Sequence, residues 1–367
     1  MIRKGRKIRY AVVGLGHIAQ VAMLPAFQHA GRNSVLAAIV SGDSTKRREI
    51  ASKYGIEHAF TYEEYSKCLE QVDAVYIALP NSLHAEYTIA AARAGVHVLC
   101  EKPMAVTSSE CRRMIAACKQ HSVKLMIAYR LHFEELNLKA IDLIRKGSIG
   151  EPRYFNSSFS MTVRAGNIRT RARLGGGTLY DIGVYCINAA RYLFRSEPVE
   201  VFAMSVNSGT NKLSEIDEST GAVLRFEDDR LALFATSFNA ADVASYRIVG
   251  TKGQIHVDPA YEYAEGLRYE LTVDGKKTTK SIAKRNQFAP ELLYFSDCIL
   301  NNRKPEPSGE EGLQDIRIIE GLYRSARTRR PVRIAPAENE KRPAKAQTIV
   351  RPGIAKPRLL KVKSAST

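Results

Sequence analysis

From residue 8 to about residue 128, short unbroken apolar runs alternate with segments whose apolar positions recur at helical spacing. The runs Ile8–Val13, Val35–Val40, Ala74–Leu79, Val96–Cys100 and Lys124–Ala128 predict strands buried on both faces. The intervals predict helices over Ala19–His29, about Ser44–Tyr54, Leu83–Ala94 and Ser108–His121. Strands and helices in strict alternation imply a doubly wound parallel sheet, an α/β arrangement. Near residue 130 the period changes. A helix over Phe133–Lys146, a strand over Arg153–Val163 and a Gly-rich stretch opening another helix at 175–188 come first. Strands then follow at Val199–Val206, Thr220–Phe226, Leu231–Phe238, Tyr246–Val249, Gln254–Val257 and Leu267–Val273. Apolar and polar residues alternate along them, which predicts a large, mostly antiparallel sheet in an α+β unit. Helices over about Ala289–Asn301 and Glu311–Arg327 close the folded part, and there is no internal repeat.

A chain of 367 residues is too long for one ordinary core, and 45% apolar with 25% charged residues is a globular composition. No window approaches the roughly 18 uninterrupted apolar residues of a membrane span. The basic start, Met1–Tyr10, runs directly into the first strand with no separate apolar region, so no signal peptide is expected. Six scattered cysteines without a C-x-x-C pair suggest buried reduced thiols and a cytoplasmic setting. The net charge is +17, but residues 1–9 carry +5 of it and residues 336–367 carry +6. Segment 336–367, rich in Pro, Ala and Lys, is expected to be a disordered basic tail. It could touch nucleic acid or another acidic surface, or serve only solubility.

Gly14-Leu15-Gly16-His17-Ile18-Ala19 lies between the first strand and the first helix, where a G-x-G-x-x-A dinucleotide loop belongs. Gly14 permits a tight turn, Gly16 admits a pyrophosphate, and the helix N-terminus offers amide donors. His17 and Ile18 complete the loop. The second strand ends in Ser41-Gly42-Asp43, with Lys46, Arg47 and Arg48 one turn further. A neutral hydroxyl followed by cations suits the 2′-phosphate of NADP. The competing reading has Asp43 on a ribose hydroxyl and NAD as cofactor.

Residues 175–188, Gly-Gly-Gly-Thr-Leu-Tyr-Asp-Ile-Gly-Val-Tyr-Cys-Ile-Asn, predict a flexible glycine entry followed by a helix. That helix would carry Asp181 and Tyr185 on one face. A phenol near a charged partner can exchange a proton with a reacting alcohol. The same pair also suits a half-buried core tyrosine and a first-turn aspartate. Glu101-Lys102-Pro103 follows the strand Val96–Cys100, at the carboxyl end where ligands bind in such sheets. Lys102 could stabilise the Tyr185 phenolate. Asn81, Ser82 and His84 open a helix after another strand end, where His84 could reach cofactor or substrate or lie on the helix surface. Arg130, Arg164, Asn167, Arg169, Arg171 and Arg173 flank the glycine stretch, with Arg169 the first choice for a substrate contact. The eight histidines show no metal-ligand spacing and no metal site is expected. No G-x-S-x-G elbow suggests a hydrolase.

With Gly-x-Gly-x-x-Ala at 14–19, Glu-Lys-Pro at 101–103 and Gly-Gly-Gly…Asp-Ile-Gly-Val-Tyr at 175–185, the chain resembles the glucose–fructose oxidoreductase/inositol dehydrogenase/rhizopine-catabolism (Gfo/Idh/MocA) family over roughly 8–335. The resemblance implies an N-terminal Rossmann domain at 1–129 and an α+β substrate and oligomerisation domain at 130–335. It implies catalytic Lys102, Asp181 and Tyr185, with Tyr185 standing where inositol dehydrogenase-like members carry histidine. Cofactor contacts are implied at Pro80, Asn81, Glu101 and Lys102, joining Gly14, Gly16, His17, Ile18, Ser41, Gly42, Lys46, Arg47 and His84. Substrate contacts are expected at Arg130, Arg169, Asp181 and Tyr185. Tyr129–Phe133, Asn167–Arg169 and Cys186–Tyr192 resemble the glucose–fructose oxidoreductase branch. The expected activity is hydride transfer between NADP and a sugar, polyol or related hydroxylated substrate, in a homodimer or homotetramer. A nicotinamide-dependent glycosidase of the same fold and a non-catalytic dinucleotide-sensing regulator are the alternatives.

Overall fold

The computed structural model describes residues 5–209, 213–337 and 342–366. Its first layer is a parallel sheet of β1 (Ile8–Val13), β2 (Ser34–Val40), β3 (His58–Phe60), β4 (Ala74–Ile77), β5 (His97–Cys100) and β6 (Leu125–Ile127). The strand order is β3-β2-β1-β4-β5-β6. The connections carry α1 (Leu24–Ala30), α2 (Ser44–Tyr54), α3 (Tyr65–Leu69), α4 (His84–Arg93) and α5 (Ser108–Gln120). The unbroken burial of β1 from Tyr10 onward and of β4 follows from helices on both faces. The order reverses between β1 and β4, which opens the crevice where such sheets bind ligands.

A second, nine-stranded sheet lies beyond α6 (Glu135–Arg145). It contains β7 (Pro152–Thr162) and, after α7 (Val184–Phe194), β8 (Pro198–Val206), β9 (Ser219–Phe226) and β10 (Leu231–Ser237). The meander β11 (Asn239–Gly250), β12 (Gly253–Val257), β13 (Leu267–Val273) and β14 (Lys276–Ile282) adds to it. Then α8 (Ala289–Leu300), α9 (Gly309–Thr328) and β15 (Val332–Arg333) complete the order β14-β13-β12-β11-β7-β10-β9-β8-β15. Within this second sheet, only β7 and β10 pair in parallel among the described strands. The inner face packs on α7 and α9, while the outer face shows Tyr154, Met204, Val206, Leu231 and Leu233 to solvent.

Four elements escape the periodicity. β3, α3 and β15 are too short to show a period, and β14 is an edge strand exposed on both faces, so its Lys-Lys-Thr-Thr-Lys-Ser-Ile does not alternate. Its hairpin turn uses Asp274 and Gly275, both at positive φ, as a tight two-residue turn requires. No described helix is long and apolar enough to cross a membrane. All six cysteines are buried and unbridged.

The C-terminal segment departs from its expected disorder. Residues 338–341 and 367 lie outside the described residues, but 342–366 run along the body. Arg342 pairs with Glu197 and Glu311, and the Ile349 amide donates to the Phe133 carbonyl. The Asn286 amide donates to the Arg351 carbonyl, and Ser366 bridges to Val163. Composition alone misjudges the segment because backbone and polar partners hold it down, with Ile349 and Leu360 packed against the core.

Candidate active site

A cleft of about 1440 Å³ runs from the Gly14–Ile18 loop to the Gly-rich segment and β7, more than a drug-sized ligand fills. At its first end, Gly14 has φ +94°, and a Cβ there would stand 2.6 Å from the Ala78 carbonyl oxygen. At Gly16 nothing lies within 4 Å of that position, so an anion can approach the backbone. A π-helical turn, Ala19–Met23, continues into α1 and aims its amides at this space. Gly16, His17 and Ile18 line the cleft. Burial lowers the His17 imidazole, and the Arg169 and Lys356 cations lower it further. This loop fits a dinucleotide pyrophosphate.

Beyond β2, Asp43 caps α2, accepting from the Lys46 amide at 3.0 Å, and stands 3.5 Å from Lys361 Nζ. Ser41 is buried and accepts from the Asp43 amide, while Arg47 donates to the Ser41 carbonyl. Gly42 lies under the Tyr62 ring. The capping amide of Lys46 holds the Asp43 carboxyl below the usual range, with Lys361 adding to the effect. A carboxylate engaged by a helix N-terminus and a lysine is a poor acceptor for a ribose hydroxyl. Arg47, on the Ser41 carbonyl, and Lys361, beside Asp43, put two cations at this strand end, which fits a 2′-phosphate.

The second end of the cleft gathers the residues of the two remote motifs. β5 delivers Glu101 and Lys102, and the Lys102–Pro103 peptide is cis. Glu101 is buried, accepting from the Tyr76 hydroxyl and the Lys102 amide, so its carboxylate secures the turn that presents Lys102. Burial pushes that carboxyl up despite the nearby Lys102. Lys102 Nζ donates to the Asp181 carbonyl at 2.8 Å and lies 3.8 Å from the Asp181 carboxylate. Arg169 Nε reaches the other carboxylate oxygen at 2.6 Å. Burial alone would raise the Asp181 carboxyl, but the flanking Arg169 and Lys102 cations hold it below the usual range.

Tyr185 faces the same cleft, one turn beyond Asp181. The expected lysine–phenol contact takes a different form. Lys102 Nζ sits over the ring face, 4.6 Å from its centroid, and the phenolic oxygen accepts from Arg130 Nη2 at 3.3 Å. Arg130 also donates to Gln287 and to the Tyr261 carbonyl, so its guanidinium positions Tyr185 more than it offers itself to a ligand. His84 needs a similar correction. Its ring is fully buried, with Nδ1 and Nε2 each 2.9 Å from a carbonyl, of Pro103 and Leu79 respectively. It ties the Leu79–Leu83 loop to the Lys102 turn instead of offering a hydrogen bond to the cleft. Pro80 begins that loop, and Asn81 lines the cleft while donating to the Gly175 carbonyl at 2.8 Å.

The glycine triplet is not a flexible entry either. Gly175 has φ +78°, and a Cβ on it would lie 2.7 Å from Val106 and 2.8 Å from Asn81. At Gly176 it would meet the Arg169 carbonyl oxygen at 2.3 Å, and at Gly177 the Tyr323 hydroxyl at 2.4 Å. These glycines are a close-packed junction. Of the flanking residues, Arg164, Asn167 and Arg169 line the cleft, whereas Arg171 pairs with Glu215. Sequence reasoning missed Phe159 of β7, Tyr261, Glu262 and Tyr263 of the loop between β12 and β13, and Lys361–Ser366 of the tail, all of which line the cleft. Their one local signal was the aromatic alternation Tyr261-Glu262-Tyr263. Among the described residues, no group of three His, Cys, Asp or Glu side chains could hold a metal ion.

A doubly wound sheet with a dinucleotide loop, whose crevice is shared with a second sheet and holds a lysine, a carboxylate and a phenol, defines a dinucleotide-dependent oxidoreductase. The chain belongs to the GFO/IDH/MocA oxidoreductase family. Residues 8–129 match the model of its NAD-binding Rossmann domain and residues 137–256 that of its C-terminal domain. The chain is 33% identical over 337 residues to the D-xylose 1-dehydrogenase [NADP(+)] of Haloarcula marismortui, covering 89% of this chain and 93% of that protein. It is similar to the aldose-aldose oxidoreductase of Caulobacter crescentus, solved with glycerol, at 38% identity and a TM-score of 0.86. That match covers 90% of this chain and 100% of the other. The 3-ketoreductase KijD10 of Actinomadura kijaniata, solved with NADP and TDP-benzene, aligns with a TM-score of 0.80 at 26% identity, over 87% of this chain and 98% of that one.

Proposed function

We propose that this chain is an NADP-dependent oxidoreductase of sugars, polyols or closely related hydroxylated compounds. One observation carries the reading: Tyr185, Lys102 and Asp181 converge in the cleft that the Gly14–Ile18 loop opens. The NADP(+) in the names of similar xylose dehydrogenases, and the sugars named in several relatives, support the cofactor and the substrate class. Bound NADP supplies or accepts the hydride. Gly14, Gly16, His17, Ile18, Ser41, Gly42, Lys46 and Arg47 hold it, with the Pro80–Asn81 loop and the Glu101–Lys102 turn at its far end.

Tyr185 exchanges the proton of the substrate hydroxyl. Arg130, donating to the phenolic oxygen, fixes where that oxygen stands in the cleft. Lys102 is held by Asp181 where its ammonium can meet both the Tyr185 ring and a substrate oxygen. Asp181 and Arg169 form the charged wall that orients the substrate. Removing the Tyr185 hydroxyl by Tyr185→Phe is expected to lower turnover by about 10²–10⁴. The assay follows NADPH absorbance across a panel of aldoses and polyols. Full activity of Y185F on the best substrate would overturn the assignment, and cleavage of a glycoside without net cofactor change would point to glycosidase chemistry.

The outer face of the second sheet supports association of copies. Leu231 is flanked on that sheet by Tyr154 and Arg225, and Leu233, Met204 and Val206 extend the exposed apolar surface. A homodimer or homotetramer that covers this face is the proposed assembly.

A further inference from the structure

The segment expected to be a loose tail crosses the mouth of the cleft and is fastened on both sides. On the nucleotide side, the Gln20 side-chain amide is almost fully buried and bonds the chain twice. Its Nε2 donates to the Leu360 carbonyl at 3.0 Å and its Oε1 accepts from the Leu360 amide at 2.7 Å. The same Nε2 donates to the Leu15 carbonyl, within the dinucleotide loop itself, at 2.9 Å. One residue further, Lys361 Nζ lies 3.0 Å from Thr45 Oγ1 and 3.5 Å from Asp43. On the far side, the Arg164 amide donates to the Ala365 carbonyl at 2.9 Å and its Nε to the Ser366 carbonyl at 2.7 Å. Between these anchors, residues 361–366 line the cleft.

We propose that residues 360–366 form the outer wall of the nucleotide site and that Lys361 is a specificity-determining residue for the ribose 2′-phosphate. The proposal rests on the NADP reading above and adds a residue that lies outside the G-x-G-x-x-A loop and the strand end. Asp43 is the carboxylate at the end of β2, the place where an acid favours a 2′-hydroxyl and repels a phosphate. Lys361 offsets that charge from directly beside it and adds an ammonium group to the Arg47 guanidinium at the same strand end. Because the segment carrying it is tied at both ends, it would slow the release of a dinucleotide seated behind it.

The test uses the full chain and the reduced cofactor's own fluorescence, since the protein has no tryptophan. Dissociation constants for NADPH and NADH are measured for the wild type and for Lys361→Gln, an exposed position whose replacement leaves the core untouched. Loss of one charge-assisted contact is expected to weaken NADPH binding about tenfold. NADH binding should stay within about twofold of wild type, since it carries no 2′-phosphate to lose the contact. Lys361→Glu should weaken NADPH further, and deletion of 360–366 should speed NADPH release in stopped-flow displacement. A wild type that prefers NADPH and keeps the same preference in K361Q overturns the role of Lys361. A wild type that prefers NADH overturns the NADP reading itself, a result visible before any variant is made.

Discussion

Asp181→Asn is the substitution that most directly tests how the charged wall of the site is held. The carboxylate stands between two cations, Arg169 Nε at 2.6 Å and Lys102 Nζ at 3.8 Å, and its side chain is 14% exposed. Opposite unit charges 4 Å apart at an effective dielectric near 20 attract by about 4 kcal/mol before desolvation is counted. Removing one partner of a buried pair costs roughly 3–5 kcal/mol, because the other charge stays behind without compensation. Arg169 is 30% exposed and water screens part of its share. The lower end, about 3 kcal/mol, is therefore expected for D181N, or a fall in thermal midpoint on the order of 6–12 °C. The dependence on pH carries a definite sign. Asp181 has its folded value held down by Arg169 and Lys102, so its contribution is present above the unfolded carboxyl value. It is lost as the pH falls through the depressed folded value. Calorimetry of wild type and variant from pH 8 downward should therefore show a full gap at neutral pH that narrows in acid. Arg169→Gln in the D181N background should cost much less than Arg169→Gln alone, with a coupling of about 0.5–3 kcal/mol. Equal midpoints at pH 7, or a gap that survives in strong acid, would refute the picture of a carboxylate neutralised by two neighbours.

Two further outcomes follow from the packing. Gly175→Ala places a Cβ on a residue with φ +78° against Val106 and Asn81. Left-handed backbone costs an L-residue about 1–2 kcal/mol and overpacking about 1–3 more, so chemical denaturation should show a loss of roughly 2–5 kcal/mol. A near-neutral G175A would mean that the loop relaxes freely. Leu233→Glu puts a charge on the exposed face of β10, and light scattering should register a smaller assembly than wild type. An unchanged molar mass would place the association surface elsewhere.

The architecture is readable because its main signals are local. Buried parallel strands such as Ala74–Ile77 are apolar throughout, and the G-x-G-x-x-A loop must stand where a strand meets a helix. Lys102, Asp181 and Tyr185 are readable as candidates because each sits in a short motif, and all three line one cleft. What is not legible depends on partners far away in the chain. The Arg130 guanidinium owes its place to Gln287, Tyr261 and Tyr185, 55 to 157 residues distant. His84 looks like a helix-surface or ligand-facing residue until the carbonyls of Leu79 and Pro103 close on it. Tail residue Leu360 meets Gln20 across 340 positions, through hydrogen bonds that no hydrophobic period records. β14, polar on both faces, lacks the alternation that identifies its neighbours.

The glycine junction divides the walls of the cleft into parts with different freedom to vary. Gly175 abuts Asn81 and Val106, Gly176 abuts the Arg169 backbone, and Gly177 abuts Tyr323 of α9, so each glycine is held by a different neighbour. Divergence in substrate choice then has to accumulate around the triplet, in side chains such as Arg164, Asn167, Ile168 and Leu174 that face the cleft without carrying the junction. A library built to retarget this enzyme to another sugar would randomise those four positions and keep 175–177 constant. Variants sampled within the triplet would be removed by misfolding before their catalysis could be screened.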